Sequence, residues 1–239
     1  MTKKQLNKLS KVLYVSTCMR IVLIFSILLS FWACTEKQEP KPRVLPFIGN
    51  YDLEYSTIDG KENIDTIYPK IPDFSFLNQD SIKVTSSTFK GKIWIADFFF
   101  TSCSTICPGM TATMKKLNDA TQDLADHIQF LSFSIDPKTD QPNVLKAYRK
   151  NYNISSKNWV FLTGNEDETH RLGVENFYIH AAEDENATDG YAHAEAFSLV
   201  DKEGYVRGVY NMAQAGELER IEKDLRKLLK EEYGIVGSK

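Results

Sequence analysis

The chain has 239 residues, and 29 Lys and Arg stand against 32 Asp and Glu, for a formal net charge of -3 at pH 7. Lys and Glu are interspersed rather than blocked, so no basic patch points to nucleic acid. Of the 4 cysteines, Cys18 and Cys34 precede the folded region, and the remaining two can form only one small bridge, which excludes a disulfide-stapled scaffold.

Lys3, Lys4, Lys8 and Lys11 form a basic start, and residues 21–33 are a run dominated by apolar side chains that ends at Cys34. This pattern reads as an export signal. The run is shorter than the roughly 20 residues that span a bilayer, and extending it back to Val12 meets Arg20. A lipoprotein signal, with Cys34 as the acylated first residue of the mature chain, is therefore favoured over an uncleaved membrane anchor. Ala33 suits such a cleavage site, although Phe31 and Trp32 are bulkier than usual. Either segment leaves the rest of the chain outside the cytoplasm, on the periplasmic side, tethered to a membrane. Residues 35–50 carry charges with Pro40 and Pro42 and read as a solvated linker. Residues 51–233 are the expected domain and 234–239 a tail; about 190 residues are enough for one core.

Within the domain, residues 82–85 read as a short strand and 93–100 as a longer one, too apolar to have a water-facing side. Met110, Met114, Leu117 and Leu124 recur at helical spacing, and Pro108 sits where a first-turn proline is tolerated, so a helix is expected over 108–125. Residues 128–135 form a second buried strand closed by Asp136-Pro137, 141–152 a helix, 159–162 a strand and 166–172 a short helix. Strands over 196–200 and 205–210 flank Asp201-Lys202-Glu203-Gly204 as a hairpin. Leu218, Ile221, Leu225 and Leu228 place one apolar stripe on a last helix. This order predicts an α/β, thioredoxin-like fold, with a central mixed sheet flanked by helices and a β-hairpin near the C-terminus.

The chemistry concentrates in Cys103-Ser104-Thr105-Ile106-Cys107-Pro108, between the apolar strand and the first helix. Helical residues four apart have α-carbons about 6.2 Å apart, near the upper end of the roughly 4.4 to 6.8 Å that a disulfide accepts. Pro108 biases Cys107 away from helical torsions, so the segment is expected to be a loop entering the helix. Helix N-terminal amides favour the thiolate, which is both nucleophile and metal ligand. The pair is therefore either a redox switch or half of a metal site. Thiolates select copper, zinc or iron–sulfur centres, and imidazole suits copper and zinc. Among the 4 histidines, His127 reads as a helix C-cap, His170 as solvated and His180 as a reserve ligand beside the acidic run Glu183-Asp184-Glu185. His193 stands at a loop edge just before a strand, where loops at one end of the sheet can converge on the cysteines.

Phe100-Thr101-Ser102-Cys103-Ser104-Thr105-Ile106-Cys107-Pro108 resembles the thiol motif of the Sco/SenC family, the copper-binding assembly factors of cytochrome c oxidase. The segments FLSFSIDPKTDQP (130–142) and WVFLTG (159–164) resemble that family's following strands, and His193 stands in register with its histidine, counted back from Leu199-Val200-Asp201 and Gly204. The resemblance covers most of residues 71–210. It implies a thioredoxin-like domain that binds one copper ion, as Cu(I) or Cu(II), through Cys103, Cys107 and His193. It also implies a recipient, the copper-accepting subunit of a respiratory oxidase or another cuproprotein. Thr105 stands where the family often has an acidic residue, and Tyr191-Ala192 and Ala194 flank His193 in place of Val-Asp and Ser; such neighbours tune a metal site.

Three functions use these sulfurs. A copper metallochaperone holds the ion and passes it on by ligand exchange. A thiol–disulfide oxidoreductase uses Cys103 and Cys107 as redox thiols to reduce a partner's copper-site cysteines. A peroxidase of the peroxiredoxin type lacks a resolving thiol elsewhere in the mature domain. Met110, Met114 and the Phe98-Phe99-Phe100 run are read as core, and Asn186-Ala187-Thr188 matches a glycosylation acceptor that a bacterial lipoprotein would not use.

Overall fold

Every side chain of Ile93–Phe99 and of Ile128–Ser134 is buried, as strands covered on both faces require. These two strands lie side by side and parallel, from Ile93 opposite Ile128 to Phe99 opposite Ser134. A parallel pair needs a crossover, and the helix Cys107–Ala120 supplies it. The computed structural model describes residues 44–58, 60–183 and 191–238. In chain order the elements are β1 (Asp52–Ile58), β2 (Lys61–Ile67), β3 (Ser75–Asn78), β4 (Lys83–Thr85), β5 (Ile93–Phe99), α1 (Cys107–Ala120), β6 (Ile128–Ser134), α2 (Pro142–Asn151), β7 (Trp159–Thr163), α3 (Glu166–Arg171), β8 (Ala181–Glu183), β9 (Tyr191–His193), β10 (Ala196–Val200), β11 (Val206–Asn211) and α4 (Glu217–Tyr233).

Among the described residues the central sheet has the order β11-β10-β5-β6-β7-β3-β4. Only β5, β6 and β7 are mutually parallel; β10 and β3 border them antiparallel. This is the expected mixed sheet, and β10 with β11 is the expected C-terminal hairpin. Alternation along the strands divides the core. Phe98 and Phe133 stack at 5.1 Å and meet Phe74 and Phe177 on one face. On the other, Phe99 and Phe161 close on Tyr148 of α2. The Thr111 and Tyr148 hydroxyls share a 2.8 Å hydrogen bond that joins α1 to α2. Ile221, Leu225, Leu228 and Leu229 form the buried stripe of α4.

The boundaries depart from expectation for local reasons. α1 ends at Ala120 rather than at 125, because the Thr121 hydroxyl donates to the Leu117 carbonyl (2.8 Å) and competes with the helix; a 3-10 turn, Gln122–Leu124, follows. The expected helix over 166–172 ends at Arg171 and continues as a wide π turn, Leu172–Asn176. Gly173 lies in that turn, where a Cβ would be 3.2 Å from both the Ile179 carbonyl and the Phe98 ring. Residues 44–48, assigned to the linker from composition, pack on the domain: Leu45 is buried and Ile48 N–H donates to the Val206 carbonyl at 2.8 Å. The β1–β2 hairpin and β3 were not foreseen.

One cation organises the end of the molecule where chain residues 44–48 dock. Arg207 is 3% exposed. Its guanidinium pairs with Asp201 (2.9 Å) and Glu232 (2.6 Å) and donates to the carbonyls of Leu45 (2.6 Å) and Pro46 (3.2 Å). The other Asp201 oxygen accepts from Glu203 and Tyr205 N–H, shaping the hairpin turn that Gly204 closes at φ 91. Removing one member of such a set strands a buried charge, so Arg207→Ala is expected to lose about 3–5 kcal/mol. Urea unfolding measures the loss, and limited proteolysis should show new cleavage near residues 44–48. Arg207→Lys should recover only part, because an ammonium lacks the planar fork.

Candidate metal centre

β5, an interior strand, delivers the chain to one end of the sheet, and Phe100–Ile106 must turn it into α1. Cys103 N–H donates to the Phe100 carbonyl at 3.3 Å, a tight reversal. No side chain of the ordinary capping kind serves α1, and Pro108 in its first turn has no N–H to satisfy. Cys103 Sγ takes that place. It accepts the Cys107 N–H at 3.4 Å and shares a 3.6 Å hydrogen bond with the Thr105 hydroxyl. The sequence expectation that Cys107 lies outside the helix is corrected: its N–H opens the first turn.

Both cysteines are buried thiols, Cys103 at 6% and Cys107 at 1% exposure, yet their ionisation differs. Burial pushes Cys103 up, but hydrogen bonds from Cys107 N–H and from the Thr105 hydroxyl and N–H outweigh it and hold the group below the ordinary cysteine value. At Cys107 burial wins and pushes the thiol far up, a hydrogen bond from Phe100 N–H opposes it weakly, and Cys103 adds to the rise. The site therefore sets a cysteine that ionises more readily than usual beside one that resists ionisation, an inequality that suits a soft cation or attack on a disulfide.

Two buried carboxyls bear on this site, one by holding the loop and one by its charge, and motif reading missed both. Asp140 is fully buried and accepts from Thr101 N–H (3.0 Å), from the Thr101 hydroxyl and from the Ser134 hydroxyl (2.6 Å). Burial pushes its carboxyl up against those hydrogen bonds. The Asp136-Pro137 turn brings Asp140 there, with Asp140 N–H on the Asp136 carbonyl (2.9 Å) and Thr139 N–H on Asp136 Oδ1 (3.1 Å). Asp97 lies in the middle of β5, 1% exposed, with no partner for Oδ1 among the described residues. Burial raises it to about 7, opposed by a hydrogen bond from Ser132, and its charge contributes to the raised Cys107 value. An Asp inside an otherwise apolar strand was the available signal.

The structure assembles Cys103 with Cys107, but it leaves the third sequence-predicted ligand open. The backbone of His193 pairs opposite Ala181 in the β8–β9 hairpin, and Ala194 N–H donates to the His180 carbonyl at 2.9 Å. The His193 side chain lies outside the described residues, as do Cys34, residues 184–190 and Asn186. Among the described residues no three His, Cys, Asp or Glu side chains gather at one point. His170, expected to be solvated, instead hydrogen-bonds the Ile135 carbonyl through Nε2 at 3.0 Å. Met110 and Met114 are buried in the core.

Residues 65–230 match the SCO1/SenC family model. A SCO1/SenC family lipoprotein from Bacillus anthracis is 35% identical and superposes with a TM-score of 0.61 over 66% of this chain and 94% of that one. BsSco, a member of the Sco family of cytochrome c oxidase assembly proteins that has a disulfide switch, is also 35% identical, with a TM-score of 0.59 over 66% and 92% of the two chains. Yeast Sco1 with copper bound shares the fold at 22% identity, with a TM-score of 0.54 over 66% and 89%.

Two measurements test the loop. With iodoacetamide at neutral pH, Cys103 should be alkylated at least about tenfold faster than Cys107, read by peptide mass spectrometry. Thr105→Val removes a donor to the thiolate, so the midpoint of the Cys103 pH–rate curve should rise; a midpoint that stays put rejects the role of that hydroxyl. Asp140→Ala leaves Thr101 N–H and two hydroxyls without their acceptor and should cost about 1–3 kcal/mol in urea unfolding.

Proposed function

The chain belongs to the SCO1/SenC family, and from that premise we propose that it is a copper-binding metallochaperone serving the copper site of a respiratory cytochrome c oxidase. The observation that carries this reading is the thiol pair itself: Cys103, whose ionisation is favoured, joined to Cys107 through the Cys107 N–H, with both side chains buried. Such a donor set fits a soft cation better than a hard one. Cys103 and Cys107 hold one copper ion as cargo, and the His193 imidazole is its third donor. A two-sulfur grip suits Cu(I), and the added imidazole lets Cu(II) bind. The burial of both sulfurs keeps water from the ion, and a recipient's ligands replace them one at a time. The recipient is the copper-accepting subunit of the oxidase or another cuproprotein.

The domain works outside the cytoplasm on the periplasmic side, held to the membrane through lipid on Cys34. The lipoprotein relative from B. anthracis supports that reading.

A second reading is favoured by the inequality of the two thiols, which suits thiol–disulfide exchange. Cys103 thiolate attacks one sulfur of a partner disulfide, forms a mixed disulfide and releases one partner thiolate. Cys107 gives up its proton and attacks Cys103 Sγ, releasing the second partner thiolate. The partner gains two electrons and Cys103–Cys107 becomes a disulfide. The switch described for BsSco supports this use of the pair.

Metal analysis of the reduced chain lacking residues 1–34 should find about one copper per molecule. His193→Ala should weaken Cu(II) by at least about tenfold and Cu(I) much less, because two thiolates remain. Unchanged Cu(II) affinity and spectrum would remove His193 from the ligand set. For the exchange reading, Cys107→Ser should trap a mixed disulfide with a disulfide-bonded recipient, and Cys103→Ser should trap none.

A further inference from the structure

The β1–β2 hairpin contributes no cysteine or histidine to the site, and its surface is unusual. Pairing of Leu53 with Thr66, Tyr55 with Ile64 and Thr57 with Glu62 places these residues on one face. Asp52 with Ile67, Glu54 with Asp65, Ser56 with Asn63 and Ile58 with Lys61 share the other, so exposed apolar side chains stand on both faces. Tyr55 is 71%, Ile64 55% and Leu53 47% exposed; with Tyr51, Ile58 and Ile67 the hairpin region holds six of the ten exposed large apolar residues among those described. Such concentration marks an interaction surface rather than scattered exposure. Two-stranded hairpins are marginal alone, and this one is fastened at its base by rings: Tyr51 on Tyr68 (5.6 Å), Tyr68 on Phe47 (5.0 Å) and Phe47 on Tyr205 (4.5 Å). Among the described residues no third strand borders β1 or β2. The family match begins at residue 65, so β1 precedes it.

Charge decides what can cover this surface. Glu54 and Asp65 are directly opposed, an arrangement that destabilises a strand pair unless a cation lies between them. Asp52 and Glu62 add to the same sign, and Lys61 is the one cation of the two strands, so the balance stays acidic. A second copy brings the same carboxylates, and an anionic bilayer repels them. Residues 35–42 offer no apolar side chain except proline, and 184–190 are themselves acidic. The remaining occupant is a basic protein segment.

We propose that the hairpin is a docking arm that captures an extended, basic segment of a partner protein by strand addition to β1. Alternate side chains of the added strand fall on opposite faces. Apolar ones cover Leu53 and Tyr55, and Lys or Arg meet Glu54 and Asp65. The partner is recognised independently of the metal site.

The probe is a blocked nonapeptide alternating Lys and Val, with a Glu/Val peptide as control, added to the full-length chain in neutral detergent. Hydrogen exchange should slow in residues 52–58 with the Lys/Val peptide only. Glu54→Lys combined with Asp65→Lys should weaken its binding by about tenfold, and Tyr55→Ser with Ile64→Ser should do likewise. Raising salt from about 0.05 to 0.5 M on the unaltered chain should also weaken it, which keeps the test independent of how the variants fold. Equal binding of the Glu/Val peptide, or binding indifferent to salt and to both variants, overturns the proposal. Protection of the hairpin by phosphatidylglycerol vesicles alone assigns it to the membrane instead. Protection that rises with protein concentration alone assigns it to a second copy.

Discussion

A helix leaves its first N–H groups without partners, and here, after the short loop that follows a buried strand, a sulfur accepts the first of them. The Cys107 N–H on Cys103 Sγ is the contact from which the site's chemistry follows. It draws the two cysteines into one turn and stabilises negative charge on one sulfur. It also leaves the other sulfur in an apolar interior where its proton is hard to remove. Spacing, capping and reactivity are thus one arrangement.

That arrangement needs the loop held still, and the holding groups come from elsewhere in the chain. Asp140 reaches Thr101 across a gap of 39 positions, so the segment that closes β6 also fixes the approach to Cys103. The penalty of burying its carboxyl is offset by three donors. Asp97 is less well satisfied, with one oxygen unpartnered among the described residues. Its burial beside the cysteine helix gives the interior a charge-sensitive group close to Cys107.

At residues 44–48 the same economy of polar groups recurs around Arg207. One guanidinium joins the turn after β10, the end of α4 and the irregular segment at residues 45–46. The chain therefore enters the domain on a firm contact rather than a loose linker. The β1–β2 hairpin follows directly from that contact, with Tyr68 at its stem packed against Phe47, which stacks in turn on Tyr205.

The sequence by itself determined the apolar strands, the helix that follows the cysteines, the C-terminal hairpin and the placing of Cys103 and Cys107 together. Each is written in local periodicity or in short spacing, where neighbours along the chain are neighbours in space. It also singled out His193, by its place at a loop edge before the 196–200 strand and by register with a family. Tertiary structure alone decided that Cys103 Sγ caps α1, that the two thiols differ in acidity and that Asp140 latches the loop. Those results depend on desolvation and on partners far apart in sequence, which no local pattern encodes. The early end of α1 at Thr121 and the docking of residues 44–48 were likewise settled by contacts: a side-chain hydrogen bond in one case, the buried Arg207 in the other. The hairpin over 52–67 escaped notice because both of its faces meet solvent, so burial imposes no single apolar face for a period to reveal.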